Sequence, residues 1–322
     1  MTTVHTKSPH LLWTMALVLL GFGTAWALLS SPLADPQTPK SELFWAATLG
    51  LAVLALTGIR RLAAMDGATI YASATAALFG IWILYFWQLL CVALDVPRVL
   101  LPTPSLVGAA FREHFSTLET DFVQTVVRAV ALGWLLGSGL GFAVGVAIDR
   151  MPFLQRGLLP LASLTSTIPL VGVAPIAVMW FGFDWPSKAA VVVLMTFFPM
   201  LVSTLAGLKA ADRLERELMH SYAAGYGRTL WSLRLPAALP YLFSALKVNA
   251  TLALIGAIVA EFFGSPTSGL GFRISTEATK MNMGLVWAAV GVAALTGSAV
   301  YALLVALERR AAFWHPSIRG KK

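Results

Sequence analysis

Residues 217–240 read Glu-Leu-Met-His-Ser-Tyr-Ala-Ala-Gly-Tyr-Gly-Arg-Thr-Leu-Trp-Ser-Leu-Arg-Leu-Pro-Ala-Ala-Leu-Pro, a polar, basic island between two apolar runs, 187–208 and 240–263. Each run reaches or exceeds the roughly 20 residues that a helix needs to cross the hydrocarbon core of a bilayer. No water is available there to satisfy backbone N–H and C=O groups, so an open structure cannot cross and a helix can. The island is therefore a connection between two membrane helices, and the fold class is an all-α integral membrane protein.

Six more apolar runs of this kind, at 11–31, 43–60, 69–95, 122–149, 157–182 and 284–307, bring the expected spans to eight. The composition agrees. The chain is 58% hydrophobic and 12% charged, with a mean hydropathy of +0.77, where a soluble domain carries about a quarter charged residues. The first span is too long for a signal peptide, and Asp35-Pro36-Gln37-Thr38 follows it without a small-residue cleavage site, so it stays attached. A short polar break from Arg60-Arg61 to Asp66-Gly67 sets an N-terminal pair of spans (1–65) apart from a six-span core (66–310), and a basic tail (311–322) closes the chain. Between the third and fourth spans, Pro97, Pro102 and Pro104 favour an extended connection. Ser105-Leu106-Val107-Gly108 then begins a short surface helix that is expected to end near His114 and Phe115.

Lys and Arg are retained on the cytoplasmic side of membrane proteins. With the N-terminus inside, cytoplasmic segments hold fifteen of the 23 basic residues, among them Lys209, Arg213, Arg216, Arg228 and Arg234 of the island. Only Lys40, Arg98, Arg112, Lys188, Arg273 and Lys280 fall outside, while Arg128 and Lys247 lie near span ends. Both termini and the 209–239 loop are thus expected in the cytoplasm. The net charge of +8 needs no explanation beyond this topology, and no nucleic-acid partner is inferred from it.

The fourth span carries Gly133, Gly137, Gly141 and Gly145 at four-residue intervals. Such a stripe lets a neighbouring helix approach closely, so it signals packing. Cys91 is the only cysteine, and His5, His10, His114, His220 and His315 are dispersed, so no metal cluster is suggested. No H-E-x-x-H, G-x-S-x-G or G-x-x-x-x-G-K-[ST] motif occurs. The chain shows no hydrolase signature and no ATP site of its own, and any energy input comes from elsewhere.

Glu217-Leu218-Met219, Ala223 and Leu235-Pro236 resemble the cytoplasmic "EAA" loop of bacterial ABC-importer permeases. The likeness extends to Leu101-Pro102-Thr103-Pro104-Ser105, Thr125-x-x-Arg128, Ile168-Pro169, Trp180-Phe181-Gly182, Phe197-Phe198-Pro199, Leu235-Pro236-Ala237-Ala238-Leu239-Pro240, and Glu261 followed by Gly269-Leu270-Gly271. This ordered set resembles the nitrate, sulfonate, taurine and thiamine-precursor branch and covers roughly 69–310. It implies a six-helix type I ABC-importer permease core, with the pair at 11–60 as an addition. Two departures stand out: Leu218-Met219 where the family has Ala-Ala, and Ala223 where it has Gly, with Gly225 and Gly227 nearby as sources of backbone freedom.

The resemblance also implies partners: a cytoplasmic ABC ATPase subunit that binds ATP and Mg, an extracytoplasmic solute-binding protein, and a second permease copy forming a homodimer in the bacterial inner membrane. The chain itself holds no cofactor and catalyses no covalent step. The ATPase-coupling residues are then Glu217, Leu218, Met219, Tyr222, Ala223 and Gly225. Leu214, Leu218 and Tyr222 fall at four-residue spacing, which gives an amphipathic helix over 212–222 that Asp212 can cap. Arg228–Leu235 forms a second half, as in a helix-turn-helix lever. From amphipathicity alone the same helix could lie on anionic lipid, with its arginines among the headgroups.

Glu261 is an ionisable group within a span, a gating or structural candidate, and Arg128 either pairs with it or snorkels outward. Lys247 and Asn249 read as interface anchors. Ser166, Thr167, Pro169 and Pro199 are pathway candidates, because hydroxyls and kinked helices can line a passage, although Ser and Thr also satisfy helix backbones in lipid. The alternative function is an ion-driven secondary transporter, which is expected to carry ionisable groups near the bilayer midplane, whereas the charges here cluster near span ends. For the substrate, the resemblance points to a pyrimidine or thiamine-precursor-like molecule or other aromatic heterocycle, or to a sulfonate- or nitrate-type anion.

Overall fold

A computed structural model describes residues 8–35, 41–64, 69–151, 153, 170–264 and 267–314. Among the described residues every regular element is helical. The helices are α1 (Ser8–Leu29), α2 (Glu42–Ala63), α3 (Thr69–Ala93), α4 (Pro104–Glu113), α5 (Phe115–Phe122), α6 (Leu132–Arg150), α7 (Leu170–Phe181), α8 (Trp185–Lys209), α9 (Arg213–Ser221), α10 (Tyr226–Thr229), α11 (Leu235–Phe263), α12 (Leu270–Thr279) and α13 (Met283–Ala311). Two π-helical stretches, Val123–Ala131 and Leu230–Arg234, join α5 to α6 and α10 to α11.

Six helices among the described residues are long and apolar enough to cross a membrane: Glu42–Ala63, Ser73–Ala93, Phe115–Arg150, Trp185–Lys209, Tyr226–Phe263 and Met283–Ala311. Two shorter apolar helices, Thr14–Leu29 and Gly172–Phe181, fall in the two remaining expected spans. The fourth and seventh spans begin earlier than hydropathy places them, at Phe115 and Tyr226. A helix satisfies its own backbone wherever it runs, so its end need not coincide with the edge of the apolar stretch. The surface helix α4 stops at Glu113, and after a break at His114 (φ −108°, ψ 24°) Phe115 already belongs to the next helix.

Contacts group the chain into two units, one reaching Ala110 and including Met281–Gly284, the other comprising Phe111–Lys280 and Leu285 onward. In the first, α1, α2 and α3 pack around the buried side chains of Phe44, Trp82 and Leu89. Phe22 stacks on Trp82 with ring centroids 5.3 Å apart, and the Tyr85 hydroxyl donates to the Ala25 carbonyl at 2.7 Å. Ser41 caps α2, with Glu42 in its first turn and Arg60 and Arg61 in its last. Both charge placements suit the helix dipole.

In the second unit α8 is the central helix and packs against α6, α7 and α11. Lipid gives apolar side chains no reason to prefer one another, so such packing depends on close van der Waals fit. The glycine stripe supplies it. A Cβ on Gly133 would lie 2.6 Å from Val192, one on Gly145 would lie 2.8 Å from Thr204, and at Gly137 and Gly141 it would strike the Val193 and Phe197 carbonyls. On the other side of α8, α11 buries Ala245, Asn249, Ala253, Gly256, Ala257 and Ala260. Pro175 and Pro199 lie inside α7 and α8, which continue through them.

Gly141→Ala is expected to lower stability by about 1–3 kcal/mol through overpacking. Gly139→Ala, where a Cβ meets nothing within 4 Å, is expected to cost nothing. Thermal unfolding of both variants in one detergent measures the difference.

Candidate functional site

The island between α8 and α11 has two dissimilar halves. The first is α9, whose start is closed by a capping box between Asp212 and Glu215. No residue of α9 is buried. Its apolar stripe is uncovered, with Leu214 72%, Leu218 56% and the adjoining Tyr222 76% exposed. The Glu217 carboxylate pairs with Arg213 of its own helix at 2.7 Å, an exposed pair of the kind that contributes little to stability. Met219 is half-buried.

The helix ends in a Schellman turn. Ala224 N–H donates to the Met219 carbonyl at 3.0 Å and Ala223 N–H to the His220 carbonyl at 2.9 Å. Ala223 has φ +51°, the left-handed conformation that glycine adopts without cost. The alanine thus keeps the geometry of the position where the resemblance expects glycine. Gly225, by contrast, is extended (φ −65°, ψ 167°), and Gly227 has no positive φ, so neither supplies the freedom expected of it.

The second half is anchored. It is no separate helix of a helix-turn-helix pair, because α10 runs through the π-helical stretch directly into α11. The Tyr226 hydroxyl donates to Asp149 Oδ2 at 3.0 Å, and the Arg150 guanidinium lies 5.7 Å from the centre of the Tyr226 ring. Arg234 donates through Nη1 and Nη2 to the two oxygens of Asp149, each at 2.7 Å, and through Nε to the Leu208 carbonyl at 3.0 Å. Its side chain is 13% exposed and that of Asp149 8%. A π-helical stretch carries an extra residue in a helix and is common at functional sites; this one contains Arg234.

At the other end of the same helices, α5, the first π-helical stretch and α11 hold the start of α12. The first N–H groups of a helix have no partner within it. Here Gly269 N–H donates to Asp121 Oδ1 at 2.8 Å, Leu270 N–H to Thr125 Oγ1 at 2.8 Å and Gly271 N–H to Glu261 Oε2 at 2.7 Å. Thr125 Oγ1 in turn donates to Glu261 Oε1 at 2.7 Å, and Arg273 Nε to Asp121 Oδ2 at 2.7 Å. Two carboxylates therefore face the positive end of the helix dipole. Gly269 has φ +134°, and a Cβ there would lie 2.6 Å from the Glu261 carboxyl, so the position requires glycine.

Beside this cluster, Lys188 is fully buried and its Nζ donates to the carbonyls of Phe183, Asp184 and Gly264. Asp184 caps α8. Hydrogen bonds from Trp185 N–H and the Gln124 amide hold its carboxyl below the usual carboxylate range.

The structure redistributes several residues singled out from sequence. Arg128 does not pair with Glu261. It is exposed and donates to Gln124 at 3.2 Å, while Thr125 takes the place beside the carboxylate. Asn249 is no interface anchor: it is fully buried, and its amide nitrogen donates to Ser138 Oγ at 2.9 Å and the Thr196 carbonyl at 2.7 Å. Lys247 pairs with Glu308 at 2.8 Å. Pro199 is half-buried, and the nearby Thr196 hydroxyl is spent on the Val192 carbonyl of its own helix. Ser166, Thr167 and Pro169 lie outside the described residues. Asp121 and Asp149 belong to these sites without a local motif to mark them, and Lys188 and Arg273 stand out in the sequence only as topological charges. A carboxylate near the end of an apolar run was the available signal.

Long apolar helices, packed in the second unit along a stripe of small residues and interrupted by an exposed amphipathic element between two spans, define a multi-pass helical membrane protein. Residues 106–313 match the binding-protein-dependent transport system inner membrane component family, and the chain belongs to that family. It is 29% identical over 238 residues to the formylaminopyrimidine transport permease protein of Halalkalibacterium halodurans, covering 74% of this chain and 94% of that one. It is 30% identical over 236 residues to the riboflavin transport system permease protein of Chloroflexus aurantiacus (73% and 88% covered). To the taurine transport system permease protein of Escherichia coli it is 27% identical over 213 residues (66% and 74%).

Ala223→Gly removes the left-handed strain at the end of α9 and is expected to raise stability by about 1 kcal/mol, seen as a higher unfolding temperature. Arg273→Met leaves Asp121 buried without its partner. The expected loss is about 3–5 kcal/mol, and adding Asp121→Asn to the same chain should recover part of it in the same unfolding measurement.

Proposed function

We propose that the chain is the permease subunit of an ATP-driven ABC importer, in which α9 docks on a cytoplasmic ATPase and movement of the ATPase is passed to the spans. The observation that carries this reading is the contrast within the island: an uncovered apolar stripe on α9 beside a second half fastened to α6 and α8. An element that only lay on lipid would have no need of that anchorage. Glu217, Leu218, Met219 and Tyr222 form the docking face; Ala223 shapes the turn behind it, and Gly225 leads the chain out of that turn in an extended conformation. ATP and Mg belong to the partner, and this chain contributes no catalytic group.

In this reading both termini and the island are cytoplasmic in a bacterial inner membrane, two copies form the pathway, and a solute-binding protein delivers substrate to the opposite face. The polar cluster around Glu261 then fixes the outer ends of the spans, with Glu261 in a structural or gating role. The pathway residues remain Ser166, Thr167, Pro169 and Pro199. Relatives named for a formylaminopyrimidine, riboflavin and taurine support a small heterocycle or a sulfonate-type anion as substrate. The secondary-transporter alternative is disfavoured because Asp121, Asp149, Lys188 and Glu261 sit at helix ends and are engaged with backbone or paired groups.

Affinity purification of the tagged chain from its native membrane in mild detergent, with mass spectrometry of bound proteins, tests the proposal. Wild-type chain is expected to bring down an ABC ATPase that Glu217→Arg loses at least about tenfold, since an inverted charge at a docking face costs more than about 1.4 kcal/mol. Recovery of the chain alone, with solute uptake insensitive to ATP depletion, would contradict it.

A further inference from the structure

We propose that Arg234, with Asp149 and Tyr226, is the strut that carries movement of α9 into the membrane spans. The three act as positioning residues rather than docking residues. The inference rests on the coupling reading above and adds the route by which coupling leaves the loop.

The route follows from where contact begins. No residue of α9 is buried, so the docking helix has little direct purchase on the bundle. The first fixed point after it is Tyr226, whose hydroxyl reaches Asp149 in the last turn of α6. The next is Arg234. Its guanidinium spends Nη1 and Nη2 on Asp149 and Nε on the Leu208 carbonyl near the end of α8, while its own backbone leads straight into α11. One planar group thus ties together the ends of three spans. Two of those, α6 and α8, are already in backbone contact along the glycine stripe and move as one body.

The chemistry suits the task. A forked guanidinium fixes direction as well as distance, which a lysine ammonium cannot do. The pair is largely withdrawn from water, so it stays closed when the exposed Arg213–Glu217 pair exchanges with solvent or with a partner. The π-helical stretch sets Arg234 out of the regular helical register and toward both acceptors.

The test is hydrogen–deuterium exchange on the full complex, permease with its co-purified ATPase in lipid nanodiscs, with and without MgATP and vanadate. In wild type, trapping is expected to change exchange in 213–221 and also in 145–150 and 204–209. In Arg234→Lys and in Tyr226→Phe the change in 213–221 should persist, while the nucleotide-dependent change at the two span ends falls by about threefold or more. A purely structural role would instead raise exchange at those ends equally with and without nucleotide. Undiminished nucleotide-dependent changes at both ends in both variants would overturn the strut. Should Arg234→Lys fail to fold, Tyr226→Phe, which removes one hydroxyl, decides alone. A wild-type complex with no nucleotide response in 213–221 would overturn the coupling reading itself, a different result from the loss of the strut.

Discussion

The approach of α6 to α8 along Gly133, Gly137, Gly141 and Gly145 is the contact on which the second unit depends. In lipid the hydrophobic effect does not select partners, so two helices stay together only if their surfaces fit closely. Four missing side chains bring backbone against backbone, and the Phe197 and Val193 carbonyls occupy the space that Cβ atoms would need. With that pair fixed, the alanine- and glycine-lined face of α11 packs on the remaining side of α8. Asn249 then bridges all three helices through Ser138 and the Thr196 carbonyl.

Each end of this three-helix body is closed by a polar set of different character. At one end Asp121, Thr125 and Glu261 capture the free N–H groups of α12, so carboxylates that would be costly in a membrane are fully engaged by backbone donors and Arg273. That end is a closed hydrogen-bonded cap. At the other end a single carboxylate, Asp149, receives Arg234 and Tyr226, and beyond it α9 stands free. In the proposed coupling, a partner holding α9 acts on this body through the few directional bonds at Asp149.

Much of this was legible in the sequence, for identifiable reasons. Hydropathy located the spans because length and apolarity are properties of contiguous residues. The glycine stripe and the Asp212 cap were visible because their periodicity and spacing are local. What escaped was long-range. Arg234 and Asp149 are 85 residues apart and Arg273 and Asp121 are 152 apart, and no local pattern announces such pairs. Charge alone left Arg128 either as a partner for Glu261 or directed outward, and one helical turn earlier Thr125 holds the place beside the carboxylate with a shorter side chain that both donates to it and accepts from Leu270. Span starts at Phe115 and Tyr226 were missed because the helices run beyond the apolar stretch that hydropathy detects.

Whether the uncovered stripe of α9 faces an ATPase is tested by photo-crosslinking from a benzophenone side chain placed at Leu218 in native membranes. A protein adduct containing an ABC ATPase is expected, with a yield that changes when ATP is added with vanadate. Adducts to lipid alone, unaffected by nucleotide, would contradict the proposed docking and identify α9 as a helix that rests on the membrane surface.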